Sequence, residues 1–291
     1  MGKIVYFDCP SGASGDMILG ALVDAGVGVE ALRAELAKLR VPGWTLNARE
    51  VRRGAFRATK VDVEIDRDTP REQRRLRDIG AILAGSGLAP AIVATAARIF
   101  TRLAEAEARV HGTTVDEVHF HEVGAVDAIV DIVGGVIGLC WLRATRIVAS
   151  PLNVGTGTVA MQHGVFPVPP PATARLVQGV PVYGAGEGEL LTPTGALMVT
   201  AHASSYGPLP PLKLEAVGHG AGTRDPHGRP NVLRVFVGDE ERVPAGAQRV
   251  LVLEAEVDDM SPQLCGPLIE RLLSAGALDA YLTPVQMKKG R

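Results

Sequence analysis

The stretch from Val123 to Leu142, VGAVDAIVDIVGGVIGLCWL, is apolar except for Asp127 and Asp131, and no other segment limits the fold as strongly. About twenty apolar residues are long enough to span a bilayer. A carboxylate at bilayer depth costs roughly 2.5–3.5 kcal/mol, however, and this stretch carries two of them beside four glycines, so it reads as a buried helix of a soluble protein. The two acids are spaced i, i+4 and share one helix face. Exposed, they repel by about 0.2–0.5 kcal/mol; buried without a cation, they cost far more or take up a proton. A bound cation, or donors from another segment, would resolve the conflict.

The residues just upstream sharpen that expectation. The window HGTTVDEVHFHEVGAVDAIVD gathers His111, His119, His121, Glu122, Asp127 and Asp131, although the chain has only seven histidines. Imidazoles and carboxylates bind divalent metals and move protons near neutral pH. The plainer alternative is a solvated helix entry.

With 291 residues, 46% of them hydrophobic, 21% charged and a net charge of −2, the chain has an ordinary globular composition and is long enough for two domains. Its 4% aromatics and balanced charge argue against a nucleic-acid groove, leaving a small molecule or ion as the partner. Cys9, Cys140 and Cys265 lie far apart in no CxxC pattern, so neither a disulfide framework nor a thiolate zinc site is expected. The N-terminal MGKIVYFD has no signal-peptide pattern and Tyr6 breaks the myristoylation motif, which makes the cytoplasm the expected location.

Periodicity predicts an α/β chain of mixed α+β type. Strands are expected at Lys3–Asp8, Trp44–Val51, Thr59–Ile65, Arg146–Ala149, Val180–Tyr183, Leu212–Val217 and Val232–Val237. Helices are expected after PSGASGD to Gly26, with Ser14 as N-cap, over Val29–Leu39, over Ala91–Val110, through the apolar stretch, from Pro171 to Gly179 and from near Thr194. Residues 1–240 read as a large N-terminal metal and substrate domain, and 241–248 as a linker. Residues 249–291 read as the start of a β-α-β domain, with its helix at Pro262–Ala275.

Several loops have donor-rich chemistry. In PSGASGD, Ser11, Gly12, Ser14, Gly15 and Asp16 offer main-chain N–H groups at a helix N-terminus, a setting that attracts phosphate, although the P-loop lysine is missing. Asp8 and Asp16 could ligate a metal or orient a substrate, although an acid in a first helical turn such as Asp16 is also simply favoured by the helix dipole. His163 in MQHGVF, and Glu189, Thr192 and Thr194 in GELLTPTG, sit in glycine-flanked loops suited to ligand contacts. GHGAGTRDPHGRPN reads as a polar surface loop with Arg224, Asp225, His227 and Arg229, and not as a dinucleotide fingerprint. Asp258 and Asp259 could hold Mg²⁺ or Mn²⁺, and Lys288, Lys289 and Arg291 suit a triphosphate.

Taken in order, FDCPSGASGDMILGAL, the histidine window, PLNVGTGTV, HGVFPVPPPAT, ELLTPTGA, GHGAGT, PNVLRV, VDDMSPQ and MKKGR closely resemble the LarC family of nickel-insertion proteins over essentially the whole chain. The resemblance implies CTP-dependent nickel insertion (cyclometallation) into pyridinium-3,5-bisthiocarboxylate mononucleotide, giving the nickel-pincer nucleotide cofactor, with Ni²⁺ as substrate metal, CTP, and a homo-oligomer. It also implies a C-terminal domain of ferredoxin-like type that handles CTP; here only its start is present, as expected of a short subunit with a separate C-terminal partner or of a fragment. Family members commonly carry a histidine run in the loop that is RDTPREQRRLRDI here, so a nickel store is not expected. In this scheme His111, His119, His121 and Glu122, with His163, are metal-ligand candidates, His121 or Glu122 is the base, and Asp127 and Asp131 orient the ligands or hold Mg²⁺ or Mn²⁺. A metal-dependent hydrolase and a non-enzymatic nickel chaperone or store are the alternatives.

Overall fold

In the computed structural model, which describes residues 2–67, 74–118, 120, 126–161, 164–226, 228–240, 250–257 and 259–286, β1 (Lys3–Asp8) lies near the middle of a seven-stranded mixed sheet. The other strands are β2 (Trp44–Arg53), β3 (Phe56–Ile65), β4 (Ala144–Ala149), β5 (Ser205–Tyr206), β6 (Leu212–Ala221) and β7 (Val232–Glu240). Their spatial order is β5-β4-β1-β7-β6-β3-β2. Parallel pairs join β1 to β4, β4 to β5 and β6 to β3, while β1–β7, β6–β7 and β2–β3 are antiparallel. The run Ile4–Phe7 is buried throughout, which matches the continuous apolar reading of an inner strand.

The helices are α1 (Gly15–Asp24), α2 (Val29–Leu36), α3 (Leu76–Ala84), α4 (Pro90–His111), α5 (Val126–Trp141), α6 (Pro171–Leu176) and α7 (Pro193–His202). The expected membrane-length stretch is α5, and it is a core helix: Ile129, Val130, Ile132, Val133 and Ile137 are fully buried. Among the described residues no helix is long and apolar enough to cross a membrane. α4 carries an apolar stripe at helical spacing, with Ile92, Ala96, Ile99, Leu103 and Ala106 buried.

Glycines set how closely these layers approach. A Cβ on Gly220 would overlap the carbonyl of Met17, and one on Gly218 that of Ala21, so α1 lies with its backbone directly on β6. Gly20 on the helix does the same against the carbonyl of Thr59 on β3. On the far side of α1, Gly134 and Gly138 of α5 admit Leu19 and Leu22, and Gly135 admits Met198 of α7. The alternating glycines of GHGAG, expected in a surface loop, are therefore the end of strand β6. Their spacing of two puts Gly218 and Gly220 on one face of the sheet, where a bulky helix backbone takes the place of side chains.

The chain divides into the units Met1–Glu241 and Arg242–Arg291. Within the second, the described residues form a 3-10 turn, Pro262–Leu264, and α8 (Cys265–Ser274), close to the predicted helix. The strands expected on either side of it are not formed among the described residues, and Leu251 and Leu253 are 84% and 86% exposed. A strand holds its place by pairing and by burying one face, and a lone β-α-β segment supplies neither a third strand nor a second layer. Of the expected start of a ferredoxin-like domain, only the helix is formed among the described residues.

Because α1 cannot retreat from β6, Gly220→Ala is expected to lower unfolding free energy by about 3 kcal/mol, the upper range for overpacking, measured by urea denaturation. The neighbouring Gly228→Ala, whose Cβ meets nothing within 4 Å though its φ is +78°, should cost only about 1 kcal/mol. Equal losses would show that the close approach of α1 is not what Gly220 provides.

Candidate functional site

β1, β4 and β6 run the same way, so the loops leaving their C-terminal ends emerge at one edge of the sheet. These are PSGASGD after β1, PLNVGTG after β4 and GTR after β6. Crevices outside the carboxyl ends of strands are the usual ligand sites of open α/β sheets. The loops are stitched together by named bonds. Buried Asn153 donates to Pro10 O (2.7 Å) and Ala185 O (3.0 Å) and accepts from the amides of Gly155 and Ala185. Ala13 N donates to Leu190 O, and Thr192 N to Ala13 O, which joins the first motif to ELLTPTG almost two hundred residues later.

Two adjoining cavities of about 180 and 190 Å³ open there, with Glu189 and Thr192 in the wall of both. The first is lined also by Ser14, Asp16, Thr223 and Arg224, the second by Asp127, Asp131 and Thr194. The first turns of α1, α5 and α7 all contribute wall residues, and each helix N-terminus carries a partial positive charge of about +0.5. Thr192 is the N-cap of α7: its hydroxyl accepts from Gly195 N (3.2 Å) and contacts the Thr194 hydroxyl (3.0 Å). The helix starts at Pro193, one residue ahead of the predicted entry.

Asp131 stands against Gly15, where any Cβ would overlap its carboxylate. Its Oδ1 is sealed from solvent and meets no donor among the described residues. Burial, then the nearby carboxylates of Asp16 and Asp127, push its pKa well above the usual carboxylate range, and Lys60 opposes them. Asp127, one turn earlier, is exposed. The i, i+4 pair therefore does share a face, with one member at the mouth of the cavity and the other in its floor.

Other sequence candidates have partners that define their roles. Ser14 occupies the N-cap position of α1 but caps nothing; its hydroxyl donates to Asp16 Oδ1, which also accepts from Met17 N (2.8 Å). Ser11 is buried and its hydroxyl donates to Pro230 O (2.7 Å), while Gly12 N closes a turn on Cys9 O (3.1 Å). Asp8 accepts from both Arg234 Nε (2.7 Å) and Nη2. His111 ends α4 with its Nε2 3.5 Å from Glu107 Oε2. His119, His121, Glu122, His163, His227, Asp258, Lys288, Lys289 and Arg291 lie outside the described residues; Asp259 is exposed in the second unit. Between His119 and His121, Phe120 is buried and its amide donates to Arg74 O (3.1 Å), and Val118 and Val126 are buried as well, so the window is anchored in the core at both ends. Among the described residues no three His, Cys, Asp or Glu side chains converge as a metal site.

Lys60 was not legible as a site residue. Its side chain is only 3% exposed, and Nζ lies 2.5 Å from Asp16 Oδ2 and 2.9 Å from Asp62 Oδ1. Burial would lower its pKa, but Asp16 and Asp62 outweigh that and hold it above its ordinary value. A lone lysine in an alternating strand carries no signal, because the pattern alone cannot tell an outward lysine from a paired inward one.

The fold and the cavities define an α/β protein with an acidic, hydroxyl-lined chamber at the carboxyl edge of its sheet, and α5, which lines it, follows a histidine-rich segment in the sequence. Comparison with known proteins gives the family. The profile of the nickel insertion protein family matches residues 5–291, and the chain belongs to that family. A pyridinium-3,5-bisthiocarboxylic acid mononucleotide nickel insertion protein of Nocardioides sp. is 51% identical over 98% of this chain and 72% of its own length. One of the same name from Desulfitobacterium hafniense (strain DSM 10664 / DCB-2) is 47% identical over 99% and 73%, and a putative nickel insertion protein of Geotalea daltonii 46% over 99% and 74%. No solved structure matches the chain.

Asp131 gives a pH test on the metal-free protein. Its folded pKa is raised, so the folded state keeps a proton that the unfolded state releases, and this carboxyl makes stability fall as pH rises from about 4 through the folded pKa. Asp131→Asn should therefore stabilise the protein by roughly 1–3 kcal/mol at about pH 8 and by nearly nothing at about pH 4. Denaturation curves at both pH values check this; an equal effect at the two would refute the assignment.

Proposed function

We propose that this chain inserts nickel into pyridinium-3,5-bisthiocarboxylate mononucleotide, the substrate in the printed names of its relatives, to give the nickel-pincer nucleotide cofactor. The observation that carries this reading is the chamber itself. Carboxylates of Asp127, Asp131 and Glu189 face hydroxyls of Thr192 and Thr194 below three helix N-termini, and Arg224 stands at the rim of the first cavity. Such a wall suits a ligand that is itself of mixed charge: a cationic pyridinium ring with a divalent metal, joined to anionic thiocarboxylates and a phosphate.

In this reading the phosphate takes the guanidinium of Arg224, whose fork geometry fits it, helped by the first-turn amides at Gly15 and Asp16. Nickel, a substrate of the reaction, arrives through His111, His119, His121 and Glu122, with His163 a further candidate ligand, since imidazole suits Ni²⁺. Asp127 and Asp131 orient those ligands and offset the added positive charge. As nickel closes on the two thiocarboxylate sulfurs, the C4–H bond of the ring breaks. The carbon keeps the electron pair and bonds to nickel, and the proton passes to His121 or Glu122. CTP, with Mg²⁺ or Mn²⁺, is proposed as co-substrate, held by Asp258, Asp259, Lys288, Lys289 and Arg291. A homo-oligomer or a separate C-terminal subunit would complete that part, and the cytoplasm is the proposed setting.

The test is incubation of the purified chain with the mononucleotide, Ni²⁺ and CTP, followed by mass spectrometry of the small molecule. The expected product has gained nickel and lost the ring proton, and the doubly substituted His119→Ala/His121→Ala protein should make it about 10- to 100-fold more slowly. Stoichiometric nickel binding without C–H cleavage would identify a chaperone instead, and phosphate release from a generic ester a hydrolase. Insertion undiminished in the double variant would remove the two histidines from the mechanism.

A further inference from the structure

We infer that Lys60 is a positioning residue for the reaction chamber, acting through Asp16, whose carboxylate it fixes in the chamber wall. The inference rests on the functional reading above and adds a residue that neither the motifs nor the family assign.

Lys60 projects from β3 beneath the first turn of α1 and does not itself line either cavity. Its three ammonium donors meet Asp16 Oδ2 (2.5 Å), Asp62 Oδ1 (2.9 Å) and Val61 O (3.2 Å), which uses all of them. Asp62 is in turn tied to Arg49 (2.9 Å) nearer the surface. Asp16 does line the first cavity, and every direction around its carboxylate is occupied. Oδ1 accepts from the Ser14 hydroxyl and Met17 N; Oδ2 accepts from Lys60 and, at 3.4 Å, from the Thr223 hydroxyl.

Three consequences follow from that geometry. Those bonds hold the Asp16 carboxylate, and with it its charge, at a set point in the wall. The Ser14 and Thr223 hydroxyls turn their protons toward Asp16 and present lone pairs to the cavity. And Asp16 stays close enough to Asp131, across Gly15, to act on it electrostatically, while Lys60 acts on the same group in the opposite sense. Filling the slot of Lys60 with an apolar side chain opposite an apolar partner would be at least as stable as a buried ion pair. A fixed charge and two oriented hydroxyls are what the ion pair supplies and an apolar pair does not.

The test uses the full chain and compares Lys60→Met, Asp16→Asn and the double variant, with insertion measured per folded molecule below the melting temperature. Lys60→Met is expected to lower kcat about tenfold or more with little change in nickel affinity. Asp16→Asn should do the same, and the double variant should be no slower than either single one, because both act through one carboxylate. The double variant should also melt above Lys60→Met, since it leaves one fewer buried charge unpaired. If Lys60→Met does not fold, Lys60→Gln, which keeps a donor without the charge, carries the same comparison. A folded Lys60 variant with wild-type kcat, or losses that multiply in the double variant, overturns the inference. A wild-type chain that inserts no nickel overturns the functional reading instead, and the two failures are thereby distinct.

Discussion

Everything at the site depends on the backbone-to-backbone contact between α1 and β6. Gly218 and Gly220 leave the face of the strand bare, and the carbonyls of Met17 and Ala21 occupy the space that side chains would fill. Close packing of this kind loses dispersion energy quickly if the surfaces part by even half an ångström. Gly134 and Gly138 of α5 hold the helix from the other side by receiving Leu19 and Leu22. With α1 fixed between sheet and α5, its N-terminus has one possible location, and Gly15, Asp16 and the turn before them go where it goes. The same constraint sets Asp131, because α5 reaches Gly15 only at that separation.

The electrostatics of the chamber follow from this placement. Helix N-termini favour a nearby carboxylate by about 0.3–1 kcal/mol each, up to about 2 kcal/mol when partly buried. Removing one from water without a partner costs several kcal/mol. The dipoles of α1, α5 and α7 therefore soften the burial of Asp131 but do not cancel it, and Lys60 is already committed to Asp16 and Asp62. The balance left in the metal-free protein is a carboxyl whose pKa is pushed well above the usual carboxylate range. A divalent ion entering the chamber would displace the carboxyl proton and turn an unfavourable burial into a favourable pairing. Under the proposed function, metal entry and proton release would be coupled by this group.

Much of this architecture was legible in the sequence. The apolar run of β1, the stripe of α4 and the apolar length of α5, once its two acids rule out a membrane span, were each readable as they stand, and the i, i+4 acids did fall on a shared face. Alternating glycines like those of β6 look like a loop when the helix lying on them, α1 with Met17 and Ala21, is about two hundred residues away in sequence, and Lys60 was invisible for a related reason: its partner lies on a different element. The bond from the Ser11 hydroxyl to Pro230 O, 219 residues further on, is likewise a contact that the motif alone does not show. In each case the missing information was a contact between segments remote in sequence, which no local pattern encodes.

The topology explains why segments so far apart meet at all. β1, β4 and β6 are parallel to one another although β7 is antiparallel to its two neighbours, so three C-terminal strand ends, and the N-terminal end of β7, open on one edge. The loops there are cross-bonded through Asn153, Ala13 and Thr192, which limits their freedom to rearrange. A chamber built this way keeps its shape when empty, and what must move is the ligand and its protons. For a reaction that forms a metal–carbon bond, preset walls are an advantage: the ring carbon, the metal and the base have to be brought into line together, and alignment secured before binding lowers the barrier more than alignment won during it.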